Sequence, residues 1–299
     1  MAQAILTVDE SRLEAPHVGV LEDAWRRFRR SRSAIIGLTI IALLAVCAIF
    51  APWLCGHRDP LAQNLAATTL PPSPLHPAGT DKLGRDIFTR LLYGARLSVE
   101  IGFTSVAIGL AIGTFIGLVA GYWGKAVDTT LMGAMDVMLA FPSILLAIAI
   151  SAILDQRVSD VVKIFLAVGI VGIPVYARIA RASVLQVKDM EYVEAAHAVG
   201  STTARVLARY VLPNIFVPLV VQATLGVGTA ELDSAGLSYL GLGIQPPTAE
   251  WGSMLNDARD YWLNAPWALL FPGLAISITV LGFNLLGDGL RDALDPKSA

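Results

Sequence analysis

Long stretches without charge alternate along this chain with short charged segments. A helix crossing the hydrocarbon core of a bilayer, about 30 Å thick, needs roughly 20 apolar residues. Twenty-five uncharged residues separate Arg32 from Arg58, 24 separate Glu100 from Lys125, 21 separate Arg209 from Glu231, and 27 separate Asp260 from Asp288. Thr130 to Leu154 is interrupted only by Asp136. Val161 to Arg181 carries Lys163 and Arg178 near its ends, where long side chains can reach the interface. The pattern predicts an all-α membrane protein with six transmembrane helices.

Composition agrees. Of 299 residues, 55% are hydrophobic and 15% are charged, against about 25% charged in an average soluble domain. Mean hydropathy is +0.62. Disorder and an ordinary soluble enzyme are both excluded by so much apolar surface. The formal charge of −2 supplies no basic field, so nucleic acid is not a main partner.

With the N-terminus inside, 14 of the 22 Lys and Arg fall on the cytoplasmic side, including the cluster before the first span (WRRFRRSR), and 8 fall outside. Both termini are expected to be cytoplasmic. The N-terminal 24 residues carry acids and lack an apolar core, so they do not read as a signal peptide. The expected organisation is a cytoplasmic segment 1–33, a first transmembrane helix 34–55, an extracytoplasmic loop 56–96, a five-helix core 97–290 and a cytoplasmic tail 291–299. Within the core a cytoplasmic loop covers 182–213.

Several positions invite a chemical reading. Gly109, Gly113, Gly117 and Gly121 recur every four residues in the second run. On a helix they form a stripe without side chains, a surface for close approach of a helix in this subunit or in a partner. Pro142, Pro174, Pro218 and Pro272 fall in or near four different runs, and each tends to kink its helix. Asp136, Glu231 and Asp233 are candidate pathway acids, because ionisable groups in a bilayer are costly and usually face a pathway or a partner. The plainer alternatives are a backbone hydrogen bond for Asp136 and solvation at the membrane boundary for Glu231 and Asp233.

His17, His57, His76 and His197 all lie outside the expected transmembrane spans. Cys47 and Cys55, eight residues apart, would sit about 12 Å from each other on a helix, too far to bridge. No ligand cluster with metal spacing is present, so neither metal nor catalytic residues are assigned. No G-x-x-x-x-G-K-[ST] phosphate loop occurs either, and no cofactor is expected in this chain.

The most specific stretch is EYVEAAHAVGSTTARVLARYVLPN, 191 to 214. Asp189 to Val199 can form a short helix with Tyr192, Ala195, Ala196 and Val199 on one small apolar face. Gly200 can take the left-handed conformation that ends it. Ser201 or Thr202 can cap a second helix leading to Leu212-Pro213. Two short helices with a glycine joint make a lever that a soluble partner could push.

The pattern Glu194-Ala195-Ala196, three residues, Gly200, eleven residues, Leu212-Pro213 resembles the EAA loop of ABC importer permeases. GTDKLGRDIFTRLLYGARLS (79–98), DVMLAFPSILLAI (136–148), LSYLGLGIQPPTAEWGSML (237–255) and the segments FPGLAI and FNLLGDGLRDALDP (271–296) resemble the dipeptide/oligopeptide/nickel permeases, C-type subunit. The resemblance implies type I importer architecture in a bacterial inner membrane and half of a translocation pathway for dipeptides or short oligopeptides. Glutathione or nickel chelates are alternative cargo, and a secondary transporter is the alternative of a different class.

Implied partners are a homologous second permease, two ATP-binding subunits that hold ATP and Mg, an extracytoplasmic solute-binding protein, the peptide and membrane lipid. By match, Glu194, Ala195, Ala196, Gly200, Leu212 and Pro213 would couple to an ATP-binding subunit. Two positions depart from the family pattern. Gly133 stands where an arginine often precedes the matched aspartate, leaving Asp136 without that local partner, and Tyr210 stands at a commonly aliphatic position.

Overall fold

Residues 25–154 and 157–294 are described by the structure, a computed structural model. Most of the expected N-terminal segment, up to residue 24, lies outside the described residues, as does the tail beyond 294. Among the described residues the architecture is helical, with one isolated bridge between Thr80 and Asp86. Helix α1 is Arg32–Leu54, α2 Ile87–Trp123, α3 Lys125–Leu139, α4 Ser143–Ile153 and α5 Asp160–Val187. Then follow α6 Glu191–Ala198, α7 Thr203–Val206, a π-helical turn Leu207–Val211, α8 Leu212–Tyr239, α9 Trp251–Ala258 and α10 Trp267–Leu294.

Among the described residues, five helical stretches are long and apolar enough to cross a membrane: α1, α2, α5, the run Thr203–Tyr239 and α10. The sixth expected span, Thr130 to Leu154, is two helices, α3 and α4, bent by 98° at residues 140–142. The cause is Pro142, which lacks an N–H and disfavours helical backbone at Phe141. Pro174, Pro218 and Pro272, by contrast, lie inside continuous α5, α8 and α10. The loop after α1 is also shorter than 56–96, because α2 already begins at Ile87. There Asp86 caps it, its carboxylate accepting from Thr89 N (2.9 Å) and Thr89 Oγ1 (2.6 Å).

Helices α2 and α5 form the central pair. All four stripe glycines are buried and face α5. A Cβ on Gly113 would lie 2.6 Å from Ile173 O and 2.7 Å from Tyr176 Cβ, and one on Gly121 2.8 Å from Val184 Cβ. The stripe is therefore an interface within this subunit. At the periphery α1 packs on α10 through Gly37, where a Cβ would lie 2.7 Å from Gly282 O. The opposite side of α1 exposes Ile36, Leu43, Ile49 and Trp53, an apolar surface of the kind lipid covers.

Two ends of the bundle follow from these contacts. The loop before Ile87 marks the start of α2. Near its other end Tyr122 bonds His197 of α6, with 2.9 Å between the hydroxyl and Nε2. A helix of 37 residues at 1.5 Å per residue is about 55 Å long, so the loop and α6 lie at opposite ends of the molecule.

Candidate functional site

Three places carry the sequence-derived candidates: the short-helix segment, a cavity between the long helices, and the loop end.

Helix α6 ends as its sequence demands. Gly200 has φ +82°, its N–H donates to His197 O (2.9 Å), and Ser201 N–H donates to Ala196 O (3.0 Å). These two bonds are the Schellman arrangement, which requires the left-handed conformation that glycine adopts without strain. Thr202 occupies the N-cap position of α7, although its side chain makes no capping bond.

The apolar face differs from the expected one. Val193 (1% exposed) and Ala196 (4%) turn inward against Val184, Val187, Val206, Val211 and Ile215. Tyr192, Ala195 and Val199 face outward beside Glu191 and Glu194. Ala196 therefore belongs to this chain's own core and is not a surface residue for a partner's groove. Leu212 and Tyr210 pack partly against the same core, while Pro213 is exposed. Lys188 Nζ donates to Gly121 O (3.3 Å), adding to the Tyr122–His197 bond that fixes this segment to the end of α2.

The three acids have separate fates. Asp136 pairs with Arg178 of α5 at 2.5 Å, a partner 42 residues away that replaces the missing local arginine at Gly133. One turn away, Arg181 grips Asp128 through two bonds, Nε to Oδ1 at 2.9 Å and Nη2 to Oδ2 at 2.6 Å. Such two-pronged guanidinium–carboxylate pairs fix orientation as well as charge. Together they tie α3 to α5 around an open pocket.

Glu231 and Asp233 both lie within α8, which continues to Tyr239. Glu231 is 1% exposed, packed where α8 meets α2 and α9, and its Oε1 has no hydrogen-bond partner. Asp233 lines a cavity of about 340 Å³ between α2, the α3–α4 break, α5 and α8. Gln222, Gly226, Thr229 and Asp233 make the α8 wall, spaced by helical turns, with Tyr176 and Ser105 opposite. That polar stripe is a signal the sequence carried and a search for charges alone misses.

At the loop end, buried charges tie distant segments together. Arg85, 2% exposed, donates to Asp81 (2.6 Å) and to Asp257 of α9 (3.1 Å), and Lys82 approaches Asp257 at 3.6 Å. Arg90 donates to the carbonyls of Pro60 and Pro247, each at 3.2 Å, and of Thr248 at 3.4 Å. Glu250, fully buried, caps α9 by accepting from Gly252 N (2.9 Å) and Ser253 N (2.7 Å). Burial pushes its carboxyl above the ordinary range despite those bonds. The Tyr261 hydroxyl is pushed up to about 12, chiefly by burial and then by Asp81. These contacts tie the loop to α2, α9 and the 246–248 segment at one end of the bundle.

Comparison with known proteins matches this architecture. A family described as "N-terminal TM domain of oligopeptide transport permease C" matches residues 19–72. The dipeptide transport system permease protein DppC of Alkalihalophilus pseudofirmus is 47% identical over 276 residues, 92% of this chain and 89% of that protein. The di/tripeptide transport system permease protein DppC of Pseudomonas aeruginosa is 46% identical over 283 residues, covering 93% and 92%. The glutathione transport system permease protein GsiD of Escherichia coli is 46% identical over 273 residues, covering 91% and 89%.

Among solved structures, an inward-facing MetNI methionine ABC transporter chain aligns with TM-score 0.57 at 19% identity, over 69% of this chain and 96% of that one, a likeness of fold. Residues 113–299 match the family described as "Binding-protein-dependent transport system inner membrane component", and with these relatives that match establishes that the chain belongs to this family of inner-membrane permeases.

Proposed function

We propose that this chain forms half of the translocation pathway of an ATP-driven importer of dipeptides or short oligopeptides. One observation carries the reading: the segment bearing the outward face of α6 passes through one tight turn at 199–202 and then runs unbroken, through α7 and the π-helical turn, into α8, which lines the cavity. A push on Tyr192, Ala195 and Val199 is thereby delivered to the wall on which Gln222, Thr229 and Asp233 stand. Because α6 is also fixed to α2 through Tyr122 and His197, the displaced unit includes the helix on the far side of the cavity.

ATP-binding subunits holding ATP and Mg supply the push, and the close relatives named for dipeptides and di/tripeptides support the choice of cargo. A second homologous permease supplies the other half of the pathway, and a solute-binding protein delivers the peptide. Glutathione is the second reading, favoured by the GsiD relative, and is itself a peptide. Uptake of a radiolabelled dipeptide and of glutathione into proteoliposomes holding the complete complex tests both. ATP-dependent accumulation of the dipeptide is expected, and uptake of neither compound sinks the assignment of cargo.

A further inference from the structure

Among the residues lining the cavity, Asp233 is the one acidic or basic side chain. The remaining wall is apolar, as at Val168, Val175 and Phe141, or neutral and polar, as at Gln222 and Thr229. A charged group entering such a space gives up hydration, and a carboxylate already in place is the group that can offset the loss for a cation. An anionic group would meet like charge instead. At about 340 Å³ the cavity lies at the lower end of the size range of small-molecule sites.

We propose that Asp233 holds the α-ammonium group of the peptide during passage, making it a specificity-determining residue of the membrane pathway. The inference rests on the peptide reading above and holds equally for glutathione, which carries the same ammonium. Placement favours the role. Asp233 lies one turn beyond Thr229 on α8 and takes a hydrogen bond from Ser143, the first residue of α4, just past the 98° break. Its carboxylate is thus oriented between two elements that change their relation whenever α8 moves against the broken span. A contact at that junction can be made in one state of the pathway and released in another.

The alternative role, in which Asp233 serves only to tether the start of α4, predicts something different, because an asparagine side chain can accept the same hydrogen bond without the charge. Asp233→Asn and Asp233→Glu are therefore compared with the unaltered protein in the complete complex in proteoliposomes. Initial rates of dipeptide uptake are measured at saturating binding protein. Assembly is followed by size-exclusion chromatography and ATP hydrolysis by phosphate release.

The expected result is intact assembly and retained binding-protein-stimulated hydrolysis for Asp233→Asn, with maximal uptake reduced about tenfold or more. Asp233→Glu should recover a substantial part of the rate. Uptake by Asp233→Asn at the unaltered rate overturns the inference, and so does loss of assembly by that variant, which assigns the carboxylate to packing. If the unaltered complex imports no short peptide, it is the cargo reading that fails, and this outcome is visible before any variant is compared.

Discussion

A side chain at Gly113 has no space to occupy, since its Cβ alone would lie 2.6 Å from a backbone carbonyl of α5. Over-packing in a core typically costs ~1 to 3 kcal/mol, and here the obstacle is backbone, which cannot rotate away. Gly113→Leu is expected to abolish stable folded protein even when this chain is produced without its partners, measured as loss of the monodisperse peak in detergent. Gly133→Ala is the contrast, because nothing lies within 4 Å of its added Cβ and the position is exposed, so that variant should be as stable as the unaltered chain or slightly more so. The four-residue spacing made the stripe legible in sequence but left its partner open, since a helix of the same chain and one of another subunit read alike. Asp136 shows the same limit in charge. Gly133 removes an arginine at the local spacing a helix makes visible, whereas Arg178 reaches Asp136 from 42 residues away, a distance no local pattern encodes.

Helix α6 is two turns long and apolar on more than one side, so its period could not decide which alanine faces in. The neighbours decide. Val184, Val187, Val206 and Ile215 present an apolar floor, and Val193 with Ala196 fills it. The consequence is testable by moving a single charge one residue. Ala195→Asp places it on the outward face, where the chain should fold and reach the membrane but lose uptake and binding-protein-stimulated ATP hydrolysis as docking fails. Ala196→Asp buries it unpaired among valines and should lower the amount of folded protein itself, because an isolated buried charge is not tolerated. Equal behaviour of the two variants, by expression and by hydrolysis in the reconstituted complex, would refute the assignment of faces. The ends of α6 were legible because Gly200 has a strong local reason to sit at φ +82°. The break after α3 was less so. Proline also occurs within α5, α8 and α10 without ending them, so only packing distinguishes Pro142, whose break opens onto the cavity.

Across the whole molecule, the long α2 sets up a polarity that can be tested by chemistry. Its start is held by the loop-end network of Asp81, Arg85, Arg90 and Asp257, and its far end by the Tyr122–His197 contact, about 55 Å away at 1.5 Å per residue for 37 residues. On the distribution of Lys and Arg the α6 end is expected on the cytoplasmic side, because short positively charged segments resist translocation. Ser73 lies exposed on the loop, while Ser201 lies at the joint beside Gly200. With Cys47 and Cys55 replaced by alanine, Ser73→Cys should react with a membrane-impermeant maleimide in intact cells, and Ser201→Cys should react only after the membrane is opened. The reciprocal pair matters, since failure of Ser73→Cys alone could reflect shielding by the binding protein, which a strain lacking that protein removes. Labelling of Ser201→Cys in intact cells would place α6 outside. No ATP-binding subunit could then reach Tyr192, Ala195 and Val199, and the proposed route from α6 through α8 to the cavity would have no source of force.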